Sequence, residues 1–166
     1  YKGTPNIDLE KWAFNIKGLV PEEISLSYKE TMNLPKTKVY CDIHCVTTWS
    51  KLDTTWEGIS SRTFTKLANP DSTAKFVLIH SIDGYTTNLA MEDFLSEDVV
   101  FAYNLDGKQL PSQYGYPLRL IVPKLYFWKS AKWANGIEFM AKDKKGYWES
   151  RGYHNHADPW KEERYS

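Results

Sequence analysis

Apolar and polar side chains alternate along several short stretches of the chain, a pattern typical of β-strands that bury one face. Residues 12–17 alternate in this way and end at Gly18, and residues 24–27 repeat the pattern. The run KFVLIH at 75–80 is apolar through its centre, which predicts a strand buried on both faces. Further strands are predicted at 37–41, 85–89, 99–103, 118–122 and 136–140.

The predicted helices are few and short. Ser27 is expected to cap one of them, because Glu30 follows three residues later and completes a capping box. A second helix is predicted at 61–68, a helical turn at 92–95, and a hairpin turn at 105–108, which contains an Asp-Gly pair. No Gly-rich strand-to-helix fingerprint is present, so we expect an α+β fold of mostly short mixed strands and not a doubly wound dinucleotide-binding fold.

Residues 39–58 contain both cysteines of the chain, Cys41 and Cys45, together with His44. An apolar strand enters this segment, and the hydroxyl-rich run after Cys45 predicts a turn. A thiolate in such a place is suited to act as a nucleophile or as a metal ligand. The alternative is that both cysteines are small buried apolar groups, which is the common role of free cysteine.

Length and charge restrict the class of protein. The chain has 166 residues, which predicts a single domain over residues 1–166. Its 21 basic and 21 acidic side chains cancel, so neither a nucleic-acid partner nor a membrane partner is indicated. No apolar run reaches the length of a membrane span. Two cysteines and no visible signal peptide favour a reducing, cytoplasmic location, although the chain begins at Tyr1 and not at Met.

A cluster of positive charge lies in residues 119–133, where four cations occur without an acid: Arg119, Lys124, Lys129 and Lys132. With the hydroxyl of Ser130, these donors suit an anion such as phosphate. The alternative is a solvated basic loop. Trp128 and Trp133 favour a lined pocket instead, because both lie among the lysines.

The C-terminal residues from Gly146 onward are aromatic and polar without periodicity, and we expect them to pack over the body of the domain. His154 and His156 could join Cys41 and Cys45 in a zinc site, but the HxH spacing is short for structural zinc. A serine hydrolase is not indicated, since no GxSxG motif is present. A Cys45 nucleophile with a histidine base stays open as an alternative.

Four segments in order resemble one known family. They read CDIHCVTTWSKLDTTWEG, DGYTTNL, LPSQYGYPLRLIVPKLYFWKSAKW and GYWESRGYHNHADPWKEERY. Together they are similar to the sulfite-oxidase-type molybdopterin-binding domain, and in particular to its short, stand-alone oxidoreductase branch. The resemblance covers nearly the whole chain from about Gly3.

The resemblance implies a mononuclear molybdenum centre, held by one pyranopterin dithiolene and one cysteine thiolate. Cys45 matches the ligand position, because the VTxWS pattern follows it directly. Thiolate is a soft ligand that suits this metal, and coordination keeps it deprotonated. Cys41 does not match the ligand position, so the resemblance implies only a packing role for it.

The resemblance also implies which residues bind the cofactor: Ser81, Tyr114, Arg119, Ser130, Ala131 and Lys132. Arg119 matches the arginine of a GxPxR pattern, and residues 130–132 match the loop on the phosphate side. Ser81 takes the place of a hydroxyl residue ahead of DGY. Tyr114 departs from the family, where His or Asn precedes this glycine. A further N-terminal pterin contact of the family would lie before Tyr1.

The implied activity is oxygen-atom transfer with molybdenum cycling between its +6 and +4 states. Only four arginines are present, and Arg119 is assigned to the pterin. A sulfite pocket needs several arginines, so reduction of an S-oxide or N-oxide small molecule is favoured. Haem, flavin and iron–sulfur motifs are lacking, which implies a separate electron-transfer protein, a cytochrome or a flavoprotein. The dimerisation domain of sulfite oxidases has no room in this chain, which favours a monomer. Two alternatives are a cofactor carrier without turnover and a zinc or Cys-nucleophile protein.

Overall fold

Two five-stranded sheets form the body of the molecule in a computed structural model, which describes residues 3–44 and 50–165. The strands in this part of the chain are β1 Ala13–Gly18, β2 Ile24–Ser27, β3 Thr37–His44, β4 Ser50–Ser60, β5 Phe76–Ser81, β6 Thr86–Ala90, β7 Val100–Leu105, β8 Lys108–Gln109, β9 Arg119–Ile121 and β10 Ala134–Met140. The helices are α1 Tyr28–Met32, α2 Ser61–Ala68 and α3 Met91–Phe94. Single 3₁₀ turns occur at Ser112–Tyr114, Phe127–Lys129 and Glu149–Arg151. The predicted α+β class is confirmed.

The first sheet has the strand order β2–β1–β10–β5–β6. β1 runs parallel to β10, with Asn15 opposite Gly136, while the other neighbours are antiparallel. The centre of β5 is buried on both faces, as its apolar run predicts. Gly18 ends β1 in a left-handed conformation (φ 91°), where a Cβ would collide with the backbone of Phe139.

The second sheet contains β3, β4, β7 and β8 in that order, and β9 pairs with β7. β7 turns into β8 at Asp106 and Gly107, both with positive φ (50° and 80°), as the Asp-Gly pair predicts. β3 and β4 pair antiparallel as far as His44 and Ser50. The residues between them, 45–49, lie outside the described part of the chain.

One apolar core joins the two sheets. Phe14 of the first sheet stacks on Phe64 of α2 with ring centroids 4.3 Å apart. Phe101 of the second sheet meets both rings edge-on, at 5.3 and 5.1 Å. All three rings are fully buried, and burying a phenylalanine contributes about 1.5–3 kcal/mol. The two sheets therefore share one core, which fixes their relative position.

The caps of the short helices follow the sequence signals. Ser27 Oγ accepts a hydrogen bond from the Glu30 N–H, and Glu30 Oε1 accepts one from the Ser27 N–H, both at 3.1 Å. The capping box predicted for α1 is therefore confirmed. α2 has the predicted bounds and ends at Asn69, which is left-handed (φ 49°). No described helix is long and apolar enough to cross a bilayer.

The strand Ser50–Ser60 differs from the expectation, because the sequence predicts a turn after Cys45 and no strand there. Its first four residues are exposed, and Leu52 is the one apolar side chain among them. The sequence therefore shows no alternation of apolar and polar positions there. Threonine and tryptophan nevertheless favour extended backbone, and pairing with both β3 and β7 fixes it. β3 also extends to His44, three residues beyond its predicted end.

Candidate functional site

A cavity of about 360 Å³ opens between the start of β9, the loop before β10 and the C-terminal residues. Its walls combine cations with aromatic rings. The lining residues are Asp83, Tyr85, Tyr114, Arg119, Phe127, Trp128, Ser130, Ala131, Lys132, Trp133, Trp148 and Tyr153. Five of the seven predicted site residues are thus brought together here, although residues 114 and 130–132 are far apart in sequence.

Arg119 holds two walls of the cavity together. It is the first residue of β9, whose pairing with Ala102 of β7 fixes its backbone. Its Nη1 donates to the Tyr114 carbonyl at 2.8 Å, and its Nη2 donates to the Ser130 carbonyl at 2.7 Å. The Tyr114 side chain itself is 54% exposed, so the contact that it gives Arg119 comes from its backbone. A tyrosine in place of the family's His or Asn can therefore keep this contact, because the backbone carbonyl provides it.

The Arg119 charge is buried without a counterion from the described residues. The side chain lies over the Phe127 ring at 4.3 Å, and burial lowers its pKa to about 9. At neutral pH the guanidinium is still protonated. Its Nε is buried and has no hydrogen-bond partner in the described part of the chain. A buried charge of this kind is costly unless an anion compensates it, so the cavity is suited to an anionic ligand.

Lys132 adds a second cation to the same wall. Its ammonium lies 4.6 Å from the Trp133 ring centroid. Burial, and then the neighbouring Arg119 charge, lower the pKa of Lys132. Gly115 packs its backbone closely against both residues, because a Cβ there would lie 2.8 Å from the Arg119 Cβ and 3.3 Å from the Lys132 Cα. Its φ of 123° also disfavours any other residue.

Ser130 and Ala131 complete the wall beside Arg119. The Ser130 hydroxyl is buried and accepts a hydrogen bond from the Val122 N–H at 2.9 Å. Its own proton stays available as a donor. The Ala131 carbonyl accepts from the Leu120 N–H at 2.9 Å, which ties the loop to β9. The loop is therefore rigid on the side that faces the cavity.

Ser81 is not brought to the cavity lining. It is buried at the end of β5, and its Oγ has no partner among the described residues. Its backbone closes the turn that follows, by accepting from Gly84 N–H and donating to the Tyr85 carbonyl, both at 3.0 Å. This turn presents Asp83 and Tyr85 to the cavity. A predicted contact through the Ser81 hydroxyl is not visible in this arrangement.

Of the two cysteines, only Cys41 is among the described residues. Cys45 lies outside the described residues. Cys41 is half-buried in β3, with its Sγ 3.7 Å from Thr54 Oγ1, and burial raises the pKa of its thiol to about 11. A thiol that stays protonated at neutral pH is neither a nucleophile nor a ready ligand. Cys41 packs against the apolar cluster around Val39 and Trp56, and its packing role stays a prediction.

Two of the four cations in the basic segment do not face the cavity. Lys124 is exposed. Lys129 is fully buried, and its Nζ lies 3.0 Å from Glu149 Oε2 and donates to the Asn88 carbonyl at 2.8 Å. The expectation of a cluster without an acid is thus wrong for Lys129, because Glu149 approaches it from far along the chain. Only Arg119 and Lys132 are left for an anion.

Comparison with known proteins identifies the family. The profile of the family described as "oxidoreductase molybdopterin binding domain" matches residues 1–148. The chain belongs to this family. It is therefore an oxidoreductase of the sulfite-oxidase type, as the sequence motifs imply. The C-terminal residues from Glu149 onward lie beyond the matched range.

Several relatives of this oxidoreductase are known. The uncharacterized oxidoreductase YuiH of Bacillus subtilis is 41% identical over 96% of this chain and 80% of its own length. The protein-methionine-sulfoxide reductase catalytic subunit MsrP of Campylobacter jejuni is 30% identical over 87% of this chain and 54% of its own. A putative subunit of such a reductase, YedZ1 of Azospira oryzae, is 29% identical over 89% and 56%. The chain spans about half the length of these two reductase relatives.

A solved structure shares the fold of the oxidoreductase. The sulfane dehydrogenase SoxCD of Paracoccus pantotrophus matches with a TM-score of 0.77 over 86% of this chain and 41% of that chain. The sequence identity is 17%, so this likeness supports the architecture and not the reaction. The predicted sulfite-oxidase-type fold is confirmed.

The cavity fits the cofactor that the family name implies. A pterin cofactor with a phosphate is anionic and flat, while the cavity offers an uncompensated guanidinium, an ammonium, a hydroxyl and aromatic walls. The glycine at 115 packs against Arg119 and Lys132, where a Cβ would collide with them. The orphaned Arg119 Nε supplies a buried donor that a ligand can satisfy.

One wall of the cavity was not predicted from the sequence. Tyr153 stacks on Trp148, with centroids 4.9 Å apart and planes at 26°, and meets Trp128 edge-on at 4.9 Å. Trp128 Nε1 donates to Glu149 Oε2 at 2.7 Å. Trp128 lies among the lysines of the basic segment, and Trp148 and Tyr153 lie in a family-like segment, but no residue pattern assigns any of the three to the cofactor.

The zinc alternative gains no support from the C-terminal histidines. His156 lies between two carboxylates, with Nδ1 2.9 Å from Glu163 Oε2 and Nε2 3.2 Å from Asp93 Oδ2. His154 Nδ1 accepts backbone N–H groups of His156 and Ala157. Within residues 3–44 and 50–165, no group of three or more metal-ligating side chains is assembled.

Proposed function

We propose that this oxidoreductase binds a molybdenum–molybdopterin cofactor in the Arg119 cavity and catalyses oxygen-atom transfer, with Cys45 as the protein ligand to the metal. The observation that carries the proposal is the buried, uncompensated Arg119 charge in the lining of an aromatic cavity in a molybdopterin-binding family. A cofactor phosphate or pterin carbonyl would supply the acceptors that the described residues do not.

The residues of the cavity wall have separate roles in this proposal. Arg119 binds the pterin side with its Nε, which has no partner among the described residues, while one N–H of each Nη donates to the Tyr114 or the Ser130 carbonyl. Lys132 and the Ser130 hydroxyl are donors for the phosphate. Ala131 shapes the loop by its small side chain. Tyr114 holds Arg119 in place through its backbone, and Ser81 anchors the turn that carries Asp83 and Tyr85.

Cys45 would act by orienting the metal and by donating charge from its thiolate. The bound cofactor supplies a metal that exchanges two electrons and one oxygen atom. The protein fixes its position, excludes bulk water and leaves an access route for a small-molecule substrate. In the sequence, Cys45 directly follows His44, the last residue of β3.

The substrate we propose is an uncharged S-oxide of a thioether. The balanced reaction is R₂S=O plus two protons and two electrons, giving R₂S and water. Two relatives are named as methionine sulfoxide reductase proteins, which supports this class. Both cations that line the cavity are assigned to the cofactor, so few are left for an anion such as sulfite. An N-oxide would follow the same balance and is the second candidate.

The two electrons must come from another protein in this proposal, a cytochrome or a flavoprotein. The printed names of two relatives describe them as subunits, which supports a protein that works with a partner. The same proposal places the chain in the cytoplasm as a single-domain monomer over residues 1–166. Neither nucleic acid nor membrane is required.

One experiment separates this proposal from its alternatives. The protein is purified from a host that makes molybdenum cofactor, its metals and pterin are quantified, and methionine sulfoxide, trimethylamine N-oxide and sulfite are each assayed with a redox dye. Molybdenum and pterin with S-oxide turnover support the proposal. Molybdenum without turnover of any substrate supports the cofactor carrier. Zinc in place of molybdenum overturns both.

A further inference from the structure

The C-terminal strap, defined here as residues 146–165, lies beside β6 at the edge of the first sheet, where the Tyr147 N–H donates to the Thr86 carbonyl at 2.8 Å. A 3₁₀ turn at Glu149–Arg151 and a single bridge between Tyr153 and Tyr165 are its regular structure. Gly146 passes so close to β6 that a Cβ would lie 2.5 Å from the Thr86 carbonyl oxygen. The family profile ends at residue 148, whereas the fourth family-like segment of the sequence continues through the strap to Tyr165.

Polar side chains fasten the strap at three places. Glu149 is buried and accepts hydrogen bonds from Thr87 Oγ1 at 3.0 Å and from Trp128 Nε1 at 2.7 Å, besides pairing with Lys129. Asn155 accepts from Asn88 Nδ2 at 2.7 Å. His156 contacts the carboxylate of Asp93 at 3.2 Å. The first two contacts reach β6, at Thr87 and Asn88, and the third reaches α3 at Asp93.

The strap supplies the aromatic wall of the cavity. Trp148 and Tyr153 both line it, as do Arg119 and Lys132. The strap also orients Trp128, another lining residue, through the hydrogen bond to Glu149. A flat heterocycle in the cavity would thus meet cations from the body of the domain and aromatic rings from the strap. Removing the strap would take Trp148 and Tyr153 away from the lining.

We infer that the strap is a retaining wall for the cofactor: Tyr153 and Trp148 contact the flat pterin, and opening of the strap limits how fast the cofactor leaves. The inference rests on the proposed function, because it takes the cofactor to occupy the Arg119 cavity. Contacts between a flat heterocycle and an aromatic side chain contribute enough to change a dissociation rate about tenfold. The fastenings contribute because the strap must detach before the rings can move away.

The test measures cofactor release from the purified holoenzyme. Samples are passed through a desalting column at intervals, and the molybdenum and pterin that stay with the protein are quantified. Tyr153→Ala should release cofactor about tenfold faster than wild type, whereas Tyr153→Phe keeps the ring and should release it at the wild-type rate. Asn155→Ala does not touch the cavity, so faster release from it would report opening of the strap.

The controls separate the outcomes. Lys161→Ala changes an exposed strap residue and should leave release unchanged. Circular dichroism melting verifies that each variant is folded. If wild type holds no molybdenum or pterin, the proposed function itself is overturned. If wild type holds both and releases them no more slowly than Tyr153→Ala and Asn155→Ala, only the role of the strap is overturned. Equally fast release from Tyr153→Phe would refute a contact through the ring.

Discussion

Lys129 Nζ and Glu149 Oε2 form an ion pair at 3.0 Å in which both side chains are completely buried. Burial lowers the pKa of Lys129, and the Glu149 charge opposes this shift. The lysine also donates to the Asn88 carbonyl and Oδ1, so each of its three ammonium protons has an acceptor. Glu149 Oε1, in contrast, is buried without a partner among the described residues. The pair fastens the strap to the loop that forms the cavity.

Removing one partner of this pair should destabilise the protein strongly. Glu149→Ala leaves the Lys129 ammonium buried and unpaired, which we expect to lower the free energy of unfolding by about 3–5 kcal/mol. The double change Lys129→Met with Glu149→Gln removes both charges and should recover most of this loss. Urea unfolding followed by tryptophan fluorescence measures both effects. As a control, Lys51→Ala breaks a pair with Asp106 that is about half exposed, and should cost less than about 1 kcal/mol.

Arg119→Ala and Lys132→Ala should each reduce cofactor occupancy while the fold persists. A charge-assisted hydrogen bond contributes on the order of 1.5–3 kcal/mol, so occupancy at limiting cofactor should fall about tenfold or more. Molybdenum and pterin per protein are measured on purified samples. Lys145→Ala, an exposed lysine away from the cavity, should retain full loading. Wild-type loading in both cavity variants would contradict the assignment of this wall.

The cysteines should behave oppositely when each is replaced by serine. Cys45→Ser exchanges a soft anionic sulfur for a neutral hydroxyl, so activity and the thiolate-to-metal charge-transfer band should disappear. Cys41→Ser should cost on the order of 1–3 kcal/mol of stability and leave the band in place. Absorption spectra of the two holoproteins show which variant keeps the charge-transfer band. Loss of the band in the Cys41 variant alone would mean that the ligand is misassigned.

The Cys41 thiol should resist alkylation until the solution is strongly alkaline. Its folded-state pKa of about 11 lies above the ordinary value of 9.0, because burial disfavours the thiolate. The folded protein therefore holds this proton more tightly than the unfolded chain. The resulting stabilisation is complete below pH 9 and disappears as the pH rises toward 11. Iodoacetamide labelling of the Cys45→Ser variant across this range, with a urea-unfolded control, measures it. Rapid labelling of the folded variant at pH 8 would contradict the burial argument.

Gly115 and Gly107 form a matched pair for testing the close approach in the cavity wall. Both have positive φ, but a Cβ at Gly107 meets nothing within 4 Å, whereas at Gly115 it meets Arg119 and Lys132. Gly107→Ala should cost about 1–2 kcal/mol from its backbone conformation. Gly115→Ala should cost a further 1–3 kcal/mol, roughly, from overpacking, and should lower cofactor loading as well. Equal loading in the two variants would show that the cavity tolerates the methyl group.

Local sequence signals predicted much of the fold. The capping box at Ser27, the bounds of α2 and the apolar run of β5 all depend on neighbours within a few residues, so they are visible in the sequence. The strand Ser50–Ser60 was missed because its exposed first half has no apolar periodicity. Its extended shape comes from pairing with strands on both sides, and such pairing is not a local property.

The candidate site was likewise predicted only where a local sequence pattern marks its residues. Arg119 and residues 130–132 stood out through a motif and a run of cations, and the structure brings them to one cavity. Lys129 belonged to the same run, yet it points to Glu149, and nothing in its own segment indicates this. The aromatic wall arises from the strap folding back, so Tyr153 and Trp148 carry no local signal of a ligand role. The role of Cys45 stays a prediction.

The parallel pairing of β1 with β10 has a consequence for how the chain folds. β10 lies at the centre of the first sheet, yet it comes last in the chain among the described strands. Asn15 and Gly136 face each other although they are about 120 residues apart, so β1 waits for most of the chain before it finds its partner. At typical translation speeds β10 follows β1 by on the order of ten seconds. Until then, the side of β1 that pairs with β10 has no strand beside it. Until β10 is made, this side of β1 is exposed to pairing with other chains.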